Sequence, residues 1–187
     1  MTIEEEILLA EACSKGIRSA QQFLYKSYAK VLYSILFRYL LDTEESRDMA
    51  HDCFLKIFDK IHLYKGQGSL EGWMKRVAVN HCLSVLRTKN RIRFTEFSGH
   101  NEIEQDIEDD GLETYPQHLS KEDILRCLND LPADYKIVFQ LYALDEFSHK
   151  EIGQQLGIKE NASRARYFRA KKMIKEKLMT VAGKENG

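Results

Sequence analysis

Proline is nearly missing from this chain: Pro116 and Pro132 are the two in 187 residues, and glycine stops at ten. Both residue types break helices and build tight turns, so their scarcity leaves room for long helices and removes most β-hairpin signals. The four cysteines, Cys13, Cys53, Cys82 and Cys127, form no CxxC pair. That spacing excludes a zinc knuckle or a dithiol redox motif and predicts buried, reduced thiols in helices. No HExxH spacing occurs among the six histidines. The stretch GQGSLEG, from Gly66 to Gly72, follows no strand pattern and lacks the GK[ST] ending of a phosphate loop. No apolar run is long enough to span a bilayer, and the acidic, amphipathic start MTIEEEILLAEAC is no basic-then-apolar leader. The expectation is a cytoplasmic protein without membrane insertion that is not an enzyme, with no catalytic residues, cofactor or metal.

The net charge is close to zero, at −1, but its placement is uneven. Residues 42–59 carry six acidic and two basic groups, whereas residues 71–93 carry six Lys or Arg against one Glu. Residues 94–120 hold eight acids and no Lys or Arg, and residues 159–177 hold eight Lys or Arg against two Glu. Two basic segments separated by an acidic one point to two contacts with a polyanion, in the first place nucleic acid.

Apolar residues recur at helical spacing through Phe23, Leu24, Tyr28, Val31, Leu32, Ile35, Leu36, Tyr39 and Leu40. Asp42 and Glu45 then offer a capping box for a helix through Met49, Cys53, Phe54, Ile57, Phe58 and Ile61. The breaker YKGQGS ends it, and a third helix carries Trp73, Val77, Ala78, Leu83, Val85 and Leu86, with Trp73 read as core packing. Residues 98–119 have no sustained apolar period and read as an acidic, flexible linker. Ser120 and Asp123 open a further helix through Ile124, Leu125, Leu128 and Leu131, and Pro132 suits the first turn of the next, with Ile137, Val138, Leu141 and Tyr142. The expected architecture is all-α, two helical domains joined by that linker.

The segment SHKEIGQQLGIKENASRARYFRAKK carries the sharpest pattern. Ser148 and Glu151 form a capping box, Ile152 and Leu156 face a core, and Gly157 suits the left-handed residue that ends a short helix. A longer helix from about Glu160 to Leu178 has the apolar stripe Tyr167, Ala170, Ile174 and Leu178. Its opposite face shows Arg164, Ala165, Phe168, Arg169 and Lys172, while Lys175 and Lys177 near the far end face solvent or a phosphate. This is a helix-turn-helix pattern whose second helix buries one side and offers the other to a major groove. Arginine suits that role because its planar fork bonds a guanine edge or a phosphate at two points.

With those motifs in place the chain resembles the extracytoplasmic-function (ECF) sigma factors of bacterial RNA polymerase, in the sigma-70 family. The resemblance covers nearly the whole length. SAQQFLYKSYAKVLYSILFRYLLD, EESRDMAHDCFLKIFDKI and YKGQGSLEGWMKRVAVNHCLSVLR are similar to successive parts of region 2. LNDLPADYKIVFQLYALDEFSHKEIGQQLGIKENASRARYFRAKKMI is similar to region 4. The resemblance implies region 2 at residues 1–97, the linker at 98–119, region 4 at 120–181 and a tail at 182–187.

The resemblance also implies partners and site residues. Asp48, His51 and Asp52 stand where family members dock on core RNA polymerase. Tyr64, Lys65, Gln67 and Ser69 lie in the loop that captures a base flipped from the −10 element of promoter DNA, and Arg76, Asn80 and Arg87 lie on the helix that follows. Arg164, Ala165, Phe168, Arg169 and Lys172 match positions that read the −35 element. Ser84 departs from the Asp common in the family, and Asn161 and Ala162 replace a Gly-Thr pair near the start of the reading helix. The resemblance implies that the acidic linker occupies a basic channel in polymerase, with a plain disordered tether as the equal alternative, and an anti-sigma factor is a further candidate partner. Two rivals stand beside this reading: a stand-alone helix-turn-helix regulator, which binds DNA without polymerase, and a helical adaptor or small helical enzyme that binds none.

Overall fold

The computed structural model describes residues 1–89 and 126–185, with side chains described as far as residue 180. Among the described residues every regular element is helical. The chain divides into two compact units, Met1–Lys89 and Asn90–Gly187. The expected linker at 98–119, the expected helix start at Ser120 and Asp123 with Ile124 and Leu125, and the tail from residue 186 lie outside the described residues.

The first unit contains α1 (Ile3–Ser14), α2 (Arg18–Leu40), α3 (Thr43–Lys60), a 3₁₀ turn (Ile61–Leu63) and α4 (Leu70–Thr88). Three of these helices match the periodic runs of the sequence, because each apolar stripe must be covered by its neighbours. Leu24, Leu32, Ile35 and Leu36 of α2 share a core with Met49, Cys53, Phe54 and Ile57 of α3. Met74, Ala78, Val79, Cys82, Leu83 and Leu86 complete it from α4. Each fully buried Leu or Ile there contributes about 2 kcal/mol.

Helix α2 stops at Leu41, which takes a left-handed φ of 56°, and Asp42 then caps α3 by accepting from the Glu45 N–H at 2.8 Å. The Glu45 carboxylate meets Lys89 at 2.9 Å, tying the ends of α3 and α4. All four cysteines are free and buried. Burial pushes the Cys53 and Cys82 thiols up to about 12, so neither is a reactive thiolate near neutral pH. Helix α1 is an addition to the sequence reading, which took this stretch only as an acidic amphipathic start.

The second unit contains helical residues 126–129, then α5 (Ala133–Phe139), a π turn (Gln140–Leu144), α6 (His149–Leu156) and α7 (Glu160–Glu185). Pro132 sits at the N-cap of α5, one position before the first turn expected for it. Cys127, Leu128 and Leu131 pack on Ala170, Ile174 and Leu178 of α7. That is the stripe read from the sequence, with Tyr167 only half-buried. Ser148 and Glu151 form the expected capping box, and Gly157, at φ 69°, ends α6 by donating its N–H to the Gly153 carbonyl. Gly153 answers a different demand. A Cβ there would lie 2.8 Å from the Ile158 carbonyl oxygen, so the turn packs backbone against backbone where only glycine fits.

Candidate nucleic-acid interface

Helices α6 and α7 form the helix-turn-helix. Arg164, Phe168 and Lys172 are exposed and share one stripe of α7 at intervals of four. Phe168 is 44% exposed, a large apolar ring held in water among cations. Arg164 is 49% exposed and its guanidinium meets Glu160 one turn earlier at 2.6 Å. Arg169 lies half-buried at the edge of the stripe. Lys177 meets Asp130 at 3.0 Å, a tie within the unit rather than the solvent or phosphate position expected of it.

Ala165 corrects the sequence reading. It is 3% exposed, and helical spacing alone had set it beside Arg164 and Arg169 on the outer face. Its methyl is spent on core packing and is not offered to a base. Arg166 was absent from the sequence-derived face and, among the described residues, is the bulkiest of the fully buried side chains, at 1% exposed. Its Nε lies 3.5 Å from Asp134 Oδ2 of α5. A readable signal existed, since Arg166 stands four and eight residues before Ala170 and Ile174 on the buried stripe.

A buried polar link braces this motif. His149 Nδ1, at the start of α6, lies 2.9 Å from Ser163 Oγ of α7, with both residues buried. The His149 ring stacks on Tyr142 at 4.2 Å between centroids and lies 5.8 Å from Tyr167. Burial holds the imidazole below its ordinary value of 6.5, the Arg164 charge adds to this, and Glu160 opposes it. The unfolded chain therefore takes up a proton on His149 at a higher pH than the folded chain does. Stability from this site is fully present above the ordinary value and is lost as pH falls through the folded one.

We expect the C-terminal unit to melt at a lower temperature as pH drops from about 7.5 to about 5, with the slope blunted in His149→Gln. The lone tryptophan, Trp73, lies in the first unit. A transition seen by circular dichroism but silent in Trp fluorescence therefore reports the second unit. A slope that His149→Gln leaves unchanged would assign the pH response to other groups.

In the first unit the loop from Tyr64 to Ser69 leads into α4. Lys65 and Gln67 are exposed, with Lys65 Nζ donating to the His62 carbonyl at 3.1 Å. Ser69 is exposed and caps α4, its Oγ accepting from the Gly72 N–H at 3.1 Å. Tyr64 is a second correction: it is 6% exposed, so its ring belongs to the core rather than to a reading surface. Its hydroxyl sits 2.9 Å from Glu6 Oε2 and 2.8 Å from the Gly68 carbonyl, two acceptors for one proton. Burial and the Glu6 carboxylate push that hydroxyl up to about 12. Trp73, read as core, is half-buried with its ring 6.1 Å from that of Tyr64.

Arg76, Asn80 and Arg87 fall on one stripe of α4, the arginines exposed and Asn80 half-buried with its Oδ1 sealed from solvent. On α3, Asp48, His51 and Asp52 form an exposed patch, and Leu55, 64% exposed, continues it one turn on. The His51 ring meets Tyr25 of α2 edge-on at 6.1 Å. Sequence reasoning missed Leu55, although its spacing of seven and four residues from Asp48 and His51 places it on that stripe. Among the described residues no group of His, Cys, Asp and Glu could hold a metal, and no helix is long and apolar enough to cross a membrane.

Comparison with known proteins matches both units. Residues 24–92 match the family model described as Sigma-70 region 2, and residues 121–174 that described as Sigma-70, region 4. The ECF RNA polymerase sigma factor SigE of Mycolicibacterium smegmatis is 23% identical over 155 residues, covering 83% of this chain and 60% of that relative. The RNA polymerase sigma factor YlaC of Bacillus subtilis is 25% identical over 165 residues, covering 86% of this chain and 95% of that one. Among solved structures, the sigma factor RpoE in complex with the anti-sigma factor NepR from Bartonella quintana aligns with a TM-score of 0.52 at 17% identity, covering 84% of this chain and 96% of that one. CnrH in complex with the cytosolic domain of CnrY aligns at 0.50 and 15% identity, covering 90% and 94%.

Proposed function

The chain belongs to the sigma-70 family, in its extracytoplasmic-function branch, and from that membership we propose that its two units divide the work of promoter-directed transcription initiation. The protein binds core RNA polymerase and directs it to promoters by contacts with the −10 and −35 elements, helping to open the duplex. Its place of action is inside the cell, and RNA synthesis itself belongs to polymerase. In this reading region 2 spans residues 1–97, residues 98–119 link it to region 4 at 120–181, and the tail follows.

The observation that carries the −35 assignment is the exposed stripe Arg164, Phe168 and Lys172 on the second helix of a helix-turn-helix, with Arg169 at its edge. Arginine forks bond guanine edges or phosphates, Phe168 meets a thymine methyl, and Lys172 supplies charge. The −10 element falls to Lys65, Gln67 and Ser69 of the loop and to Arg76, Asn80 and Arg87 of α4. The patch Asp48, His51 and Asp52, with Leu55, docks on polymerase: carboxylates supply charge complementarity around one exposed aliphatic anchor. Tethering two modest DNA contacts in one chain raises the effective concentration of the second once the first has formed. An anti-sigma factor is a proposed partner, because the sigma factor RpoE, which shares this fold, has been solved bound to one.

The test is transcription in vitro from genomic DNA fragments, with the purified protein and sigma-free core polymerase. Discrete start sites sharing two spaced upstream motifs are expected, with occupancy falling by a log–log slope of about −0.9 per phosphate neutralised as salt rises. Specific DNA binding by the protein alone, with no complex formed on core, would overturn the reading in favour of a stand-alone regulator.

A further inference from the structure

Helix α1 carries a carboxylate that the reading above leaves without a task. Glu6 is 8% exposed, an unusual place for an ionisable chain unless it is bonded. Its Oε2 accepts from the Tyr64 hydroxyl and from the Leu70 backbone N–H, both at 2.9 Å, across 58 and 64 residues of sequence. Those two donors stand at the two ends of the loop. Leu70 is also the first residue of α4, so a negative charge there accepts an N–H that the helix cannot satisfy and complements its dipole.

Packing of the loop on α1 is partial. An open cleft of about 230 Å³ separates the start of the loop from α1, lined by Ile7, Ala10, Glu11 and Ser14 on the helix and by Ile61, His62, Tyr64 and Lys65 opposite. The apolar contact with α1 is local: a Cβ on Gly66 would come within 2.8 Å of Ile7 Cδ1 and 3.2 Å of Ile3 Cγ2. Between these ties Lys65, Gln67 and Ser69 are turned to solvent.

We propose that Glu6 is a positioning residue for promoter opening: from α1 it clamps both ends of the 64–69 loop and so fixes the conformation in which Lys65 and Gln67 meet the displaced DNA strand. The inference rests on the −10 assignment of that loop. Glu6 touches no nucleotide. It acts by removing alternative loop conformations that the strand would otherwise have to select against.

Two readouts on the full chain separate the clamp from the DNA contact. The first is the rate of tryptic cleavage after Lys65. The second is capture, by the holoenzyme, of a single-stranded oligonucleotide carrying the −10 sequence of a promoter mapped as above. Glu6→Ala should speed cleavage and weaken capture by about tenfold each, with competition for core polymerase unchanged. Glu6→Gln, whose amide oxygen accepts the same two hydrogen bonds, should restore both to within about threefold of the parent.

If Glu6→Ala does not fold, Tyr64→Phe keeps the ring, removes one tie and should shift both readouts by about threefold. Unchanged cleavage and capture in Glu6→Ala, with capture lost in Gln67→Ala, would overturn the clamp and leave the loop as the strand reader. Faster cleavage with unchanged capture in both Glu6→Ala and Gln67→Ala would instead overturn the −10 assignment of the loop, and this inference with it.

Discussion

Replacing Arg166 with alanine is expected to destabilise the C-terminal unit by about 3 kcal/mol while the N-terminal unit melts as before. In a helical unit of this size that lowers the transition by roughly 15 °C. The guanidinium is sealed in the core at 1% exposed and reaches from α7 to Asp134 in the first turn of α5. Truncation removes a long side chain and its aliphatic packing as well as a charge, so a cavity opens between the two helices.

Asp134 is less exposed to the loss. Its side chain keeps 27% of its surface, so water still solvates it, and the α5 N-terminus still favours its charge. Volume therefore outweighs charge in the expected cost, and Arg166→Met should recover more than half of it. Thermal unfolding followed in parallel by circular dichroism and Trp73 fluorescence checks this, since only the first signal should move. If Arg166→Ala melted like the parent and lost promoter selectivity, Arg166 would be a DNA contact and the buried ion pair would have no structural role.

Arg166 also shows where the sequence was readable and where it was not. Local patterns were legible. The stripe Ala170, Ile174 and Leu178, the Ser148–Glu151 capping box and the Gly157 stop depend on residues within a turn or two of each other, and the structure holds each of them. The features that escaped depend on long-range packing. Ala165 looked outward by helical angle, but it is small and stands on the helix that α6 crosses, and it is buried. Tyr64 sat in a loop of glycines and polar residues, yet its ring completes a core and its hydroxyl meets a carboxylate 58 residues away. Glu6 stands among three consecutive glutamates, and nothing in their neighbourhood distinguishes the buried one from its exposed neighbours. A charge on a buried stripe, as at Arg166, is ambiguous by pattern because its partner Asp134 lies 32 positions earlier in the chain.

The double substitution Arg164→Ala, Arg169→Ala should lower promoter-specific transcription by about a hundredfold while binding to core polymerase holds. Two lost arginine contacts to bases or phosphates, each worth about 1–3 kcal/mol, supply that factor at about 1.4 kcal/mol apiece, in the lower half of the range. The fold should be indifferent at Arg164. Its ion pair with Glu160 joins two half-exposed side chains one turn apart, and such pairs contribute about 0–1 kcal/mol. The same weakness makes the site usable. A guanidinium held by a solvated carboxylate is already oriented and gives up little when a phosphate or guanine edge replaces that partner. Against that orienting effect, Glu160→Gln removes a carboxylate that repels phosphate and should raise DNA affinity slightly, most at low ionic strength, where that repulsion is least screened. Abortive transcription on a mapped promoter and on variants with altered −35 sequence measures both effects. If the double variant kept its preference among those −35 sequences, the outer stripe of α7 would not be the reading face, whatever the loss in rate. If it lost preference and rate together while core binding held, base readout would rest on these two side chains and the remaining cations of α7 would serve as phosphate contacts that position the helix without choosing the sequence.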